Sequence, residues 1–191
     1  MSIQRVLDAA LELSGWLANF GLPYCFIGGI AVQRWGEPRL TVDADVTVLT
    51  GWDQDEKLVD SLLAAFAARR ADGREFALQY RVLLLRSTDG TPLDVALGAL
   101  PFEERSVGRA SAWRLPGGRE LRTCSAEDLI VHKAFAARER DWVDIDGVLL
   151  RQGTGLDVAL VRQELAPLVA LKEEPAILAR LEKMLQTRLL P

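Results

Sequence analysis

Histidine occurs once in this 191-residue chain, as His132, and cysteine twice, as Cys25 and Cys124. A single histidine excludes a His-rich metal site. It leaves a Ser-His-Asp or Cys-His centre only if His132 itself serves, and a packing or surface role is the plainer reading. Two cysteines cannot build a disulfide framework and lack the spacing of a zinc site, so they read as buried small hydrophobes. Long apolar runs are missing as well. Asp8 and Glu12 interrupt the N-terminal stretch, and no segment reaches the roughly 18 apolar residues of a membrane span. There is no internal repeat and no low-complexity tract. The expectation is a cytoplasmic, soluble protein with no membrane partner.

Positive charge is also in short supply, with 23 basic against 27 acidic residues and a formal charge of −4. That excludes a general nucleic-acid coat, because non-specific affinity comes from neutralising many phosphates. The imbalance is local. Residues 1–100 carry 9 basic and 13 acidic side chains, whereas residues 101–191 carry 14 of each. The remaining composition, 49% hydrophobic and 26% charged, is ordinary for a globular chain. The length suits one domain, or one domain with an appended subdomain, burying roughly 70% of the surface of the unfolded chain.

Apolar residues at a three-to-four spacing over residues 3–19 predict an amphipathic helix, stopped by Gly21. Tyr24-Cys25-Phe26-Ile27 predicts a buried strand and Gly28-Gly29 its end. A short helix follows over residues 30–35, then a β-rich run over 41–50. Asp53 can cap a helix striped by Leu58, Leu62, Leu63 and Phe66. Residues 76–86 and 92–97 read as two strands joined by Thr88-Asp89-Gly90-Thr91. A second hairpin spans residues 112–115 and 120–123. Ser125, with Asp128 three residues on, marks a helix start. Helical segments follow to about residue 138 and over 141–150, 157–171 and 175–189. The fold class expected is α+β: a small mixed β-sheet core with flanking helices over residues 1–124, then a helical C-terminal region over 125–191.

Three features carry chemistry. Gly28-Gly29 lies between a strand and a helix start, where backbone N–H groups can meet phosphate; the pair also reads as an ordinary tight turn. Asp43 and Asp45 alternate with Ala44 in a β-rich run and so share a face. Two carboxylates side by side repel, and a divalent cation is the obvious reason to keep them. Oxygen donors without histidine suit Mg2+ or Mn2+; a solvated strand end is the alternative. Asp94, in Leu93-Asp94-Val95, is a costly lone carboxylate in an apolar strand. It could complete a three-carboxylate cluster if its strand lies beside residues 41–50, and spacing alone does not fix that adjacency.

Taken together, Ile27-Gly28-Gly29, Asp43-Ala44-Asp45-Val46 and Leu93-Asp94-Val95 resemble the polymerase-β type nucleotidyltransferase superfamily. The segment Ser125-Ala126-Glu127-Asp128-Leu129-Ile130-Val131-His132-Lys133, then Arg138, Asp141 and Asp144, looks like the AbiEii/AbiGii abortive-infection toxin family, and Pro101-Phe102-Glu103 also fits it. The resemblance spans about residues 20–150. It implies a Mg2+- or Mn2+-dependent transfer of a nucleotide from an NTP to an acceptor hydroxyl. In that scheme Gly28 and Gly29 hold the triphosphate, with Lys133 and Arg138 on the nucleotide. Asp43, Asp45 and Asp94 bind metal, Asp94 also orients or deprotonates the acceptor, and Asp144 supports the site. Ile30 departs from the pattern, because many relatives place a hydroxyl residue there.

The family further suggests a toxin acting on an RNA end such as the 3′ end of tRNA, with an antitoxin as partner. Arg105, Arg109, Arg114, Arg119 and Arg122, with Trp113, form a locally basic stretch that could hold RNA or be a plain exposed hairpin. An antibiotic nucleotidyltransferase and a catalytically inactive nucleotide-binding regulator are the alternatives. Lys133 also reads as part of a solvated helix face, and Arg138, Arg140, Asp141 and Asp144 as a surface salt-bridge cluster, which would contribute little.

Overall fold

The computed structural model describes residues 2–189, with side chains through residue 188. Residues 190 and 191 of the expected helical tail lie outside the described residues. The chain divides into two compact units, one of Met1–Ile30 with Leu40–Cys124 and one of Ala31–Arg39 with Ser125–Pro191.

In the first unit, α1 (Ile3–Phe20) buries Val6, Leu7, Ala10, Leu13 and Leu17, the stripe legible in the sequence. Gly21 ends it at φ 85°, its N–H bonded to Leu17 O at 3.1 Å. Glycine takes this left-handed conformation without the penalty a Cβ would carry. The elements that follow are β1 (Tyr24–Phe26), α2 (Gly28–Trp35), β2 (Ala44–Leu49), α3 (Asp55–Ala65), β3 (Ala67–Ala68) and α4 (Gly73–Tyr80). Then come β4 (Val82–Arg86), β5 (Pro92–Gly98), α5 (Pro101–Arg109), β6 (Ser111–Arg114) and β7 (Glu120–Thr123). The strands form one open mixed sheet in the order β3-β4-β5-β2-β1-β7-β6. β2 runs parallel to β5 and antiparallel to β1.

Ala44, Val46 and Val48 of β2, Leu93, Val95 and Leu97 of β5, and Leu83 and Leu85 of β4 point into one buried core with the apolar stripe of α1. The intervening residues Asp45, Asp94 and Leu84 are only partly buried, so the period of two separates an apolar face from a more open one. The α+β class expected from the sequence is the one observed.

The structure corrects several local expectations. Residues 76–86 are not one strand. Residues 73–80 form α4, in which the rings of Phe76 and Tyr80 meet at 4.7 Å and Arg70 lies over Phe76 at 4.3 Å. Aromatic residues favour strands, but here their four-residue spacing on a helix pairs them. Arg81, at φ 57°, ends that helix. Asp53 does not cap α3, whose N-cap position is Gln54. The two-residue β3 and the helix α5 had no periodic signature.

In the second unit, α6 (Ala126–Ala136), α7 (Glu139–Gln152), α8 (Val158–Lys172) and α9 (Ala176–Leu189) follow one another. Ser125 caps α6 as expected, its Oγ accepting from Asp128 N at 3.0 Å. Ala137 at φ 56° breaks α6 from α7. The last turns of α2 and the segment 36–39 belong to this unit. Gln152 Nε2 donates to Trp35 O at 2.7 Å and Arg151 Nη1 to Gly36 O, so α7 satisfies carbonyls that the end of α2 leaves open. Gly147 is a close-approach position, where a Cβ would lie 2.9 Å from Glu37 N.

Leu13 is fully buried and Leu171 is 81% exposed. Leu13→Ala should lower the unfolding free energy by about 2–5 kcal/mol, and Leu171→Ala should change it by less than about 0.5 kcal/mol, both read by denaturant titration.

Candidate active site

The parallel pairing of β2 with β5 sets Asp45 directly opposite Asp94. This is the adjacency that spacing left open. Asp43 lies one residue before β2 and reaches the same place. One carboxylate oxygen from each of Asp43, Asp45 and Asp94 lies within 4.8 Å of the others, and all three residues are partly buried. Three hard oxygen donors so close, with no sulfur or imidazole among them, fit a divalent cation of the Mg2+ or Mn2+ type. Burial pushes the Asp94 carboxyl above the ordinary carboxylate value. The charge of Arg69 draws it back down, and Asp43 adds to the upward push.

The glycine pair opens α2, and the structure gives each glycine a specific reason. Gly28 sits at φ 55°, and a Cβ there would fall 2.0 Å from Asp45 Oδ2. A Cβ on Gly29 would fall 2.2 Å from Thr41 Oγ1. Both glycines thus let side chains from the 41–45 segment close onto the start of α2. Ile27 N donates to Asp45 O at 2.9 Å, which ties the turn to β2. Ile30 is fully buried and faces the core.

Sequence reasoning missed two side chains in this unit. Thr41 is buried, and its Oγ1 donates to Asp43 Oδ1 at 3.3 Å. A hydroxyl aimed back at Asp43 has no sequence signature. Arg69 is ion-paired to Asp94, and 25 residues of chain separate the two, so no local pattern could reveal it.

Lys133, Arg138, Asp141 and Asp144 lie in the second unit, in a network with Arg39. Lys133 Nζ is 2.9 Å from Asp141 Oδ1 and 2.8 Å from Asp144 Oδ2. The side chains of Lys133, Asp141 and Asp144 are 8%, 0% and 2% exposed. Arg39 Nε is 2.5 Å from Asp144 Oδ1, and Arg138 Nε is 2.7 Å from Asp141 Oδ2. The solvated readings are therefore replaced by a network with Lys133, Asp141 and Asp144 buried at its centre and the more exposed Arg39 and Arg138 at its edge, and Arg39 is a member that sequence reasoning missed. Burial alone would raise both carboxyls, but hydrogen bonds outweigh it and hold them below the ordinary value. On Asp141 these come from Lys133 and Arg138, and on Asp144 from Arg39 and Lys133. Nearby on α6, burial pushes His132 down to about 4.

The basic stretch is spread over α5, β6, β7 and the turn between those two strands. Arg119 Nη1 is 2.7 Å from Asp8 Oδ1, Arg114 Nε is 3.3 Å from Glu120 Oε1, and Arg122 donates to Val107 O at 3.5 Å. Cys25 and Cys124 are buried free thiols, as expected.

Replacing Lys133 with Met should leave two carboxylates buried without their shared cation and destabilise the protein by about 3–5 kcal/mol. Folding depresses both carboxyl pKa values, so their contribution is present above the unfolded value of 3.8 and is lost as pH falls below it. The stability gap between wild type and Lys133→Met should therefore persist near pH 6 and shrink below about pH 4, as denaturant titration at each pH would show.

The family model described as nucleotidyl transferase AbiEii toxin, type IV TA system, matches residues 5–189. No curated protein sequence matches the chain. Among solved structures, an antigenic nucleotidyltransferase-like protein from Paracoccidioides brasiliensis is 16% identical with a TM-score of 0.54, over 99% of this chain and 95% of that one. The solution structure of the antibiotic-resistance factor ANT(2″)-Ia is 19% identical with a TM-score of 0.54, over 96% of this chain and 99% of that one. The crystal structure of ANT(2″)-Ia with adenylyl-2″-tobramycin is 17% identical with a TM-score of 0.52, over 88% of this chain and 98% of that one. These likenesses are of fold. With a match across nearly its whole length, the chain belongs to the AbiEii nucleotidyl transferase family.

Proposed function

We propose that this protein transfers a nucleotide from an NTP to an acceptor hydroxyl in a reaction that requires Mg2+ or Mn2+. The observation that carries the reading is the three-carboxylate cluster of Asp43, Asp45 and Asp94 set against Gly28. Asp43 and Asp45 would hold the metal, with Asp94 as third ligand. When bound, a divalent cation supplies charge stabilisation for the attacking and leaving oxygens of an in-line displacement. The backbone at Gly28 and Gly29 would hold the triphosphate where α2 begins.

Asp94 would orient the acceptor and take its proton. As the proton leaves, the acceptor oxygen bonds to the α-phosphorus, and the bond from that phosphorus to the pyrophosphate oxygen breaks.

For the acceptor, a small hydroxyl-bearing molecule such as an aminoglycoside is the reading we favour. It is supported by the fold shared with ANT(2″)-Ia over most of both chains. The arginines suggested for RNA also have partners within the protein, among them Glu120 for Arg114, Asp8 for Arg119 and Val107 O for Arg122. A tRNA 3′ end, with toxicity restrained by an antitoxin, is the second reading, supported by the family description.

The test supplies each labelled NTP with Mg2+ and either total tRNA or a panel of aminoglycosides and lincosamides. Label on a drug is the expected result. Label on tRNA would move the conclusion to the second reading. No label on either acceptor would leave a nucleotide-binding regulator. Asp43→Ala or Asp45→Ala should reduce transfer by at least about a hundredfold, since changing even a residue behind a metal ligand can cost that much. Retained activity in either variant would overturn the metal site.

A further inference from the structure

Arg69 has no place in the motif the sequence carries, yet the strand register delivers it to the acidic cluster. β3 pairs with β4 through Ala67 with Arg86 and Ala68 with Leu85. Arg69 N extends that ladder, donating to Leu84 O at 2.9 Å. Leu84 pairs with Asp94, and Asp94 with Asp45. Residues in register share a face of the sheet, so Arg69, Leu84, Asp94 and Asp45 form one row across four strands' width. Within it the guanidinium reaches past Leu84 to ion-pair with Asp94, the two side chains being 22% and 29% exposed.

Two facts argue for more than a surface salt bridge. Arg69 Nε is buried and makes no hydrogen bond among the described residues, an unfavourable state for a donor. And the carboxylate that Arg69 grips belongs to a cluster whose like charges oppose one another. A guanidinium is a permanent cation, so it offsets that repulsion at any working pH.

We propose that Arg69 is a positioning residue that acts through Asp94. It holds the third carboxylate in place as a built-in counter-ion and lowers the affinity of the cluster for a divalent ion. The ion then rests mainly on Asp43 and Asp45, and Asp94 stays available to the acceptor hydroxyl. This rests on the reading of the cluster as a metal site. A unit cation about 6 Å from a divalent ion opposes its binding by about tenfold even at the dielectric constant of water.

The experiment is Mn2+ binding to the full chain, followed by electron paramagnetic resonance. It compares wild type with Arg69→Gln, Arg69→Met, Arg69→Lys and Asp45→Ala, each checked for folding by circular dichroism. The two neutral variants should bind Mn2+ about tenfold more tightly than wild type. Arg69→Lys, which keeps the charge, should stay within about twofold of it. A merely structural arginine would leave Mn2+ affinity unchanged or weaken it. No binding by wild type, or binding undiminished in Asp45→Ala, overturns the metal-site reading and this proposal with it. Binding by wild type that Asp45→Ala loses, with folded neutral variants no tighter, overturns the role of Arg69 alone. If neither neutral variant folds, Arg69 is a structural counter-ion and the proposal falls.

Discussion

The pairing of Asp45 with Asp94 across two parallel strands is the constraint on which the first unit turns. Parallel neighbours in register bring side chains to one face, and here the residues facing each other are both acids. Everything near that pair accommodates it. Gly28 gives up its Cβ so that the Asp45 carboxylate can lie against the start of α2. Asp43 accepts a hydrogen bond from the Thr41 hydroxyl, and Asp94 takes the charge of Arg69. The opposite face of the same strands is ordinary core, with Val46, Val48, Val95 and Leu97 packed beneath. The sheet is therefore anchored by burial on one side, which lets it carry mutually repelling groups on the other.

The second unit solves a related problem in the opposite way. Its acids, Asp141 and Asp144, are almost wholly removed from solvent, and they are neutralised by the chain's own cations. Lys133 bridges the two, Arg138 closes on Asp141, and Arg39 on Asp144. Removing one member of a buried network of this kind is strongly destabilising, because it leaves a buried charge uncompensated. The partly exposed cluster at Asp43, Asp45 and Asp94 is instead left with oxygen atoms gathered closely enough to take a cation from outside. Self-satisfied carboxylates in one unit and carboxylates suited to an external ion in the other are distinguished by burial.

Much of this was legible in the residues. Gly28-Gly29, Asp43-Ala44-Asp45 and Asp94 stand out because each breaks a local rule, placing flexibility or charge where a strand wants bulk and apolarity. Ser125 with Asp128 marked the start of α6, and the spacing from Val6 to Leu17 marked α1. What stayed hidden was set by contacts distant in the chain. Phe76 and Tyr80 looked like strand residues until their helix brought the rings together. Lys133, Asp141 and Asp144 looked like a solvated face, because a charge pattern on a helix does not say which side another helix will cover.

The sequence by itself determined the chemistry on offer: carboxylates without histidine or thiol partners, a glycine pair after a strand, and the alternation that puts Asp43 and Asp45 on one face. These follow from residue type and from periods of two and of three to four, which are local. Tertiary structure decided which groups meet. Strand order set Asp94 beside Asp45, the β3–β4–β5 register carried Arg69 to them, and helix packing buried Lys133 between two acids. Those outcomes depend on the summed burial of whole elements, which fixes register and partner choice and has no local signature.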